Sequence, residues 1–383
     1  GRGGPAPARE DRRVTTNPLV RLGQLGQSPW YDFITRDLIA SGELGRLIAE
    51  DGLVGMTTNP TIFEKAVAGG SRYDGDIRRL AAEGHTSAEI FEAIAVADVR
   101  AACDLFAPVC QRAGGHDGLV SIEVSPALAN DTRATIHEAE RLWRAVGRPN
   151  AMIKIPGTRA GLPAITHCIG QGINVNVTLL FSVERYEEVV TAYEAGLDAR
   201  LGRGLPTAGI ASVASFFVSR VDGKVDPLLD RLGDPAGLRG RIAIANACLA
   251  YLAFERRTST TRWGALAAAG AHPQRPLWAS TSTKDPRYAD VHYVEELVAP
   301  RTVNTLPPET FAAYRDHGHP EVRIQAGIAA APEQLSTLSR LGIDLPSLTR
   351  ELEDEGVAKF AASHAAALAA VEAKAGALVG TAK

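Results

Sequence analysis

Short apolar runs recur along the chain between longer segments whose apolar positions return at helical spacing, the pattern of a parallel sheet wrapped by helices. The runs predict strands at Trp30–Ile34, Leu53–Thr57, Leu119–Val124, Ala151–Ile155, Ile173–Thr178, Ile210–Phe217, Leu277–Thr281 and Thr302–Leu306. Eight parallel strands, each followed by helix, is the count of a closed barrel, and such barrels reach this length as one domain when they carry insertions. In Asp131–Val146, Ile136, Ala139, Leu142, Trp143 and Val146 share one helical face. Thr86 with Glu89 three residues on reads as a capping box, and Ser182 with Glu184 as a cap followed by an anion at a helix start. From about Pro332 the chain reads as helical, in pieces at Leu345–Glu353 and Val357–Leu378, expected to pack on the outside of the barrel. The prediction is an α/β fold, a single-domain (β/α)8 TIM barrel over residues 17–383 with extra terminal helices. A disordered tail, residues 1–16, precedes it, rich in Gly, Pro and Arg and without the hydrophobic stretch of a secretory signal.

Composition narrows the function classes. The 383 residues carry 41 basic and 44 acidic side chains, a formal net charge of −3, with no Lys/Arg cluster of the kind a nucleic-acid or anionic-membrane surface needs. No apolar stretch approaches the ~20 residues of a membrane span. Cys103, Cys110, Cys168 and Cys248 form no C-x-x-C pair, so neither a zinc site nor a disulfide framework is indicated and a reducing cytoplasm is expected. His317 and His319 lack the neighbours of a metal site. No metal is predicted.

The informative residues are the polar ones that interrupt apolar strands. Period-2 alternation puts Val120, Ile122 and Val124 on one face of Leu119–Ser125 and Ser121, Glu123 and Ser125 on the other. The stretch from Ile173 repeats this with Asn174, Asn176 and Thr178, and Ala151–Ile155 sets Met152 and Lys154 against Ala151, Ile153 and Ile155. Thr57 and Asn59 share a face, and Asp32 breaks the run from Trp30. The helix-facing side of a parallel barrel must be apolar, so these groups are expected to point inward near the C-terminal strand ends, where barrel active sites form. A strand lysine can also guard a sheet edge or sit in a structural ion pair, but three such strands together argue for a site.

Lys154 is the only one of the seven lysines inside a firmly apolar strand. A desolvated amine gives up its proton more readily and can attack a carbonyl to form an imine. Once protonated, the imine accepts the electrons of a neighbouring C–C bond, provided a carboxylate moves the accompanying protons. Asp32 and Glu123 are the candidates. The constellation points to aldol chemistry without fixing the reaction.

The blocks GMTTNPTIF at 55–63, VSIEVSP at 120–126, MIKIPGT at 152–158, GINVNVTLLFS at 172–182, SVASFFVSRVD at 212–222, RPLWAST at 275–281 and ELVAPRTVNTLP at 296–307 resemble those of the transaldolases common in actinobacteria. The likeness runs from Asn17 to about Leu378. It implies a Schiff-base lysine on the fourth strand, at Lys154, and no organic cofactor or metal. The implied reaction moves a dihydroxyacetone unit from sedoheptulose 7-phosphate to glyceraldehyde 3-phosphate in the pentose phosphate pathway. Asp32 matches the family's proton-transferring aspartate, and Glu123 the glutamate acting through a water held with Thr178. Thr57, Asn59 and Asn176 match positions that hold the sugar hydroxyls and the carbanion. Ser215 and Arg220 match the phosphate-binding positions, and Lys284 is a further phosphate candidate. Without the family match, Arg220 would read as a surface salt bridge at a helix start. Ser125 stands where relatives usually carry Asp, Gly157 where Ala is common, and Phe33 where a second acid often follows the catalytic Asp. The implied partners are phosphorylated ketoses and aldoses, with no nucleic acid and no membrane; a homodimer is allowed. Rival readings are a fructose 6-phosphate aldolase, which has a shorter chain, and a catalytically idle phosphosugar-binding barrel.

Overall fold

The computed structural model describes residues 17–58 and 60–380, so the expected tail, the last three residues and Asn59 lie outside the described residues. Eight parallel strands close into a barrel: β1 Gln27–Tyr31, β2 Gly55–Met56, β3 Leu119–Glu123, β4 Ala151–Pro156, β5 Val175–Leu180, β6 Ser212–Phe217, β7 Arg275–Ala279 and β8 Thr302–Leu306. The (β/α)8 architecture read from the sequence is the fold.

Strand limits differ from prediction at β1, β2 and β5. β1 and β2 end early, yet Asp32 N–H still donates to the Leu306 carbonyl and Thr57 N–H to that of Tyr31, both at 2.9 Å. Asp32 and Thr57 therefore stand just beyond the sheet at the barrel mouth. β5 begins late because the Asn174 amide spans two strand junctions at the barrel's N-terminal end, donating to the Pro149 and Ala151 carbonyls and accepting from Ala211 N–H. Asn174, expected to point toward the site with its strand neighbours, is thus a splice between backbones.

Trp30 is fully buried and occupies the space that a side chain on β2 would take: a Cβ on Gly55 would lie 2.3 Å from the indole. The large aromatic and the bare backbone opposite it are one packing unit. The predicted helix starts are realised. Thr86 and Glu89 form a reciprocal capping box, Asp131 caps Thr132–Val146, and Ser182 caps Val183–Gly202 with Glu184 in the first turn.

The C-terminal segment corrects the sequence reading. It is one continuous helix, Leu345–Gly380, and it crosses the C-terminal mouth of the barrel rather than lying outside it. Gly356, at the expected break, lets this helix approach closely: a Cβ there would sit 3.1 Å from Leu179 and 3.4 Å from Phe181. Lys224–Glu355, Arg185–Glu353 and Lys374–Asp74 ion pairs hold it, together with a 3.0 Å hydrogen bond from Thr61 to Ser363. No helix among the described residues is long and apolar enough to cross a membrane.

Candidate active site

The barrel mouth holds a cavity of about 1510 Å³ whose walls include Asp32, Thr57, Lys154, Thr178, Ser215 and Arg220, with Lys284 at its exposed rim. Parallel register brings the central groups together: Glu123 pairs with Lys154 across β3 and β4, Lys154 with Asn176 across β4 and β5, and Pro156 with Thr178 one step on. Paired residues of a parallel ladder face the same side, so Glu123, Lys154, Asn176 and Thr178 all point into the barrel.

The Lys154 ammonium donates to Glu123 Oε1 and, at 3.2 Å, to the Thr58 carbonyl. Both partners are buried, with side chains only 7% and 10% exposed. Burial raises the Glu123 carboxyl above its ordinary value; the Lys154 charge opposes that rise, and the Asp32 charge adds to it. Glu123 Oε2 and Thr178 Oγ1 are buried without a hydrogen-bond partner among the described residues. Across the mouth, Thr57 Oγ1 donates to Asp32 Oδ1 at 2.7 Å and lies 2.7 Å from Thr305 Oγ1. A hydroxyl held from both sides in this way fixes the carboxylate at the open end of β1.

Arg220 stands in the first turn of the helix Ser219–Arg231, its guanidinium 5.0 Å from the Phe217 ring centroid and 6.0 Å from that of Phe360. The surface salt bridge considered for it does not form, for no carboxylate among the described residues lies within ion-pair distance. Burial depresses its pKa. A half-buried cation stacked on aromatics and lacking a counter-ion suits a phosphate dianion. Ser215 Oγ donates to Asn176 Oδ1 at 2.7 Å, and Asn176 Nδ2 donates to Ser121 Oγ at 3.0 Å. Asn176 is fully buried and lies beneath the cavity rather than along its wall.

Some of the site was missed by the sequence reading. Thr305 could have been found as a polar interruption of β8. Thr58 acts through its carbonyl, which no side-chain pattern reveals. Phe360, whose ring centroid is 5.5 Å from Lys154 Nζ, arrives on the C-terminal helix from the far end of the chain. Asp222, deep in the same cavity, accepts from Ala243 N–H at 2.8 Å and Tyr293 Oη at 2.9 Å. Burial, with Asp226 adding to it, pushes its pKa up to about 7. His317 and His319 lie in exposed ion pairs with Asp290 and Glu295. At Gly157 a Cβ would meet the Leu180 side chain at 2.4 Å.

The sequence profile of the Transaldolase/Fructose-6-phosphate aldolase family matches residues 29–371. The chain is 53% identical to "Transaldolase 1" of Streptomyces avermitilis, over 90% of this chain and 92% of that one. It is 51% identical to "Transaldolase" of Acidothermus cellulolyticus, over 93% and 96% of the two chains. A cyanobacterial relative, "Transaldolase 2" of Nostoc sp., is 48% identical over 91% and 94%. A match of this length includes every strand from β2 to β8 and the helix across the mouth as far as Val371, and the chain belongs to the transaldolase/fructose-6-phosphate aldolase family.

Proposed function

We propose that this protein is a transaldolase working through an imine on Lys154. The observation that carries the reading is Lys154, paired with the buried Glu123, sharing one cavity with the Asp32–Thr57 pair and with Arg220 on its wall. The Lys154 amine attacks C2 of the ketose phosphate. Glu123, through a water held with Thr178, supplies the proton with which the C2 hydroxyl leaves as water. Asp32 takes the proton of the C4 hydroxyl as the C3–C4 bond breaks, and the electron pair passes into the iminium. The aldose phosphate departs. The three-carbon carbanion stays on Lys154, held by Thr57 and Asn59, while Asn176, beneath the cavity, positions Ser215 on its wall. It then adds to the carbonyl of glyceraldehyde 3-phosphate, Asp32 returns its proton, and water frees the product and the lysine.

Arg220, Ser215 and Lys284 take the phosphate. Burial raises the proton affinity of the Glu123 carboxyl, which suits a group that passes a proton to a leaving hydroxyl. The relatives named transaldolase favour transfer over simple cleavage. The free cysteines fit a reducing cytoplasm: burial pushes Cys103, Cys168 and Cys248 up to about 12, which keeps them as thiols.

Borohydride reduction with fructose 6-phosphate and no acceptor tests the mechanism. We expect a dihydroxyacetone adduct on Lys154, found by peptide mass spectrometry, and its loss when an aldose phosphate is added before the reductant. An unlabelled enzyme would remove the imine, and label on another lysine would move the site. Free dihydroxyacetone released at the rate of donor consumption would instead identify an aldolase.

A further inference from the structure

A second cavity, of about 850 Å³, lies outside β3 between the helices Ser87–Arg112 and Thr132–Val146, with Phe63, His364 and Leu368 also on its wall. Its outer rim is polar, with exposed Glu89, His137 and Arg141. Its waist combines apolar side chains such as Ala95 and Val99 with the carboxyl of Glu138, which accepts from Ser125 N–H at 3.1 Å. Its inner end is Glu123 and Thr58. This is the same Glu123 whose carboxylate holds Lys154, while Lys154 itself lines the mouth cavity.

The inner end has unmet hydrogen-bonding capacity. Glu123 Oε2 and Thr58 Oγ1 are both buried and unpartnered among the described residues. Thr58 and Glu123 are neighbours, since one ammonium donates to the carbonyl of the first and the carboxylate of the second. A buried water is retained where polar partners meet it in a space large enough, and dry where the lining is wholly apolar. Here the lining is polar at both ends and at the Glu138 step.

The chemistry of the imine reading, on which this inference rests, supplies a reason for such a space. Forming the imine expels one water from C2, and hydrolysing the product imine consumes one. At both moments a sugar phosphate fills the mouth, with Phe360 lying over Lys154. We propose that the side cavity is a water passage through the barrel wall, by which the water of imine formation and hydrolysis moves between solvent and Glu123 independently of the substrate mouth. The Ser125 position, small and on the passage wall, leaves the inner half open.

Oxygen exchange tests this. Fructose 6-phosphate carrying ¹⁸O at C2 loses the label to solvent each time its imine forms and is hydrolysed, and mass spectrometry follows the loss without an acceptor. Ala95→Phe fills the waist from one helix and Ala134→Phe from the other; neither residue touches Lys154, Glu123 or Asp32. We expect enzyme-catalysed exchange and kcat for transfer to fall roughly tenfold, an added ~1.4 kcal/mol of barrier. KM for both sugar phosphates and the thermal midpoint should stay unchanged. Should one variant unfold more easily, the other supplies the reading. Wild-type exchange rates in a folded, filled variant would overturn the passage, because water would then be using the mouth. A wild-type enzyme with no borohydride adduct on Lys154 would overturn it differently, by removing the imine chemistry. An adduct together with unchanged exchange leaves that chemistry standing and removes only the passage.

Discussion

Replacing Lys154 by Met should destabilise the fold strongly at pH 8 and much less at pH 5, and adding Glu123→Gln should recover most of the loss. Lys154 and Glu123 are buried together, with side chains 7% and 10% exposed. Met keeps the apolar stem and removes only the charged head, so packing changes little. Removing one partner of a buried pair leaves an uncompensated charge and costs about 3–5 kcal/mol. The variant has one way to lower that cost, which is to protonate Glu123. Burial and Asp32 already raise this carboxyl, and the attraction that holds it down comes from Lys154. Without the lysine it rises further. Between the unfolded carboxyl value and this raised folded value the native variant binds one proton more than the unfolded chain, so its stability falls as pH rises, by up to ~1.4 kcal/mol per unit. Glu123→Gln removes the titrating group and with it the pH dependence. Urea unfolding of the wild type, Lys154→Met and the double variant at both pH values gives the comparison. A single variant as stable as wild type at pH 8, or a double variant no better than the single one, would show that the pair is not a buried, mutually compensating charge pair.

Two more predictions concern the walls of the cavity. Arg220→Ala should raise KM for fructose 6-phosphate by about 10- to 100-fold, the worth of a hydrogen bond to a charged group, and leave KM for unphosphorylated dihydroxyacetone donors unchanged; an equal effect on both would remove Arg220 from the phosphate site. Asp222, whose carboxyl is pushed up to about 7, holds a proton in the native state that it loses on unfolding above the ordinary carboxylate value. Its contribution therefore falls as pH rises from about 4 to about 7 and stays low above that range. Asp222→Asn keeps an acceptor for Ala243 N–H and should gain on wild type across that window, by up to ~4 kcal/mol, in urea midpoints measured at each pH. Parallel curves for the two proteins would refute the buried, proton-holding Asp222.

The barrel was legible because its chemistry is written on short strands. Each run of β-branched residues had to face helices, so any polar side chain in it had to face inward, and Glu123, Lys154, Asn176 and Thr178 were found that way. The same argument misplaced Asn174, since alternation tells which face a residue takes but not its height along the barrel. Asn174 sits at the N-terminal end, where an amide can join backbone groups that no ladder reaches. The C-terminal helix was misread for a different reason. Its alanine-rich sequence distributes small residues around the helix and names no partner, so nothing local distinguishes the outside of a barrel from its mouth. Only the contacts of Gly356 and Phe360 make that choice, and both depend on strands more than 130 residues away in sequence.

The order of strands around the barrel also orders the proposed chemistry. Glu123 and Lys154 lie in register on adjacent strands, so the amine and the group that protonates its leaving hydroxyl are paired before any sugar arrives. Asp32 and Thr57 each stand one residue past the ends of β1 and β2. Because their backbones leave the sheet there, this carboxylate and hydroxyl can reach over the mouth to a bond one or two carbons from the imine. Arg220 follows β6, which the closed ring separates from β1 by β7 and β8, so in the proposed pose the sugar runs from C2 at Lys154 past the C4 hydroxyl at Asp32 to its phosphate at Arg220. A sugar bound at Lys154 through C2, at Asp32 through its C4 hydroxyl and at Arg220 through its phosphate would lie across the mouth above the lysine. Such a pose fills the front of the site, and in the proposed passage the side cavity that Glu123 and Thr58 also line is the route left for the water of imine hydrolysis.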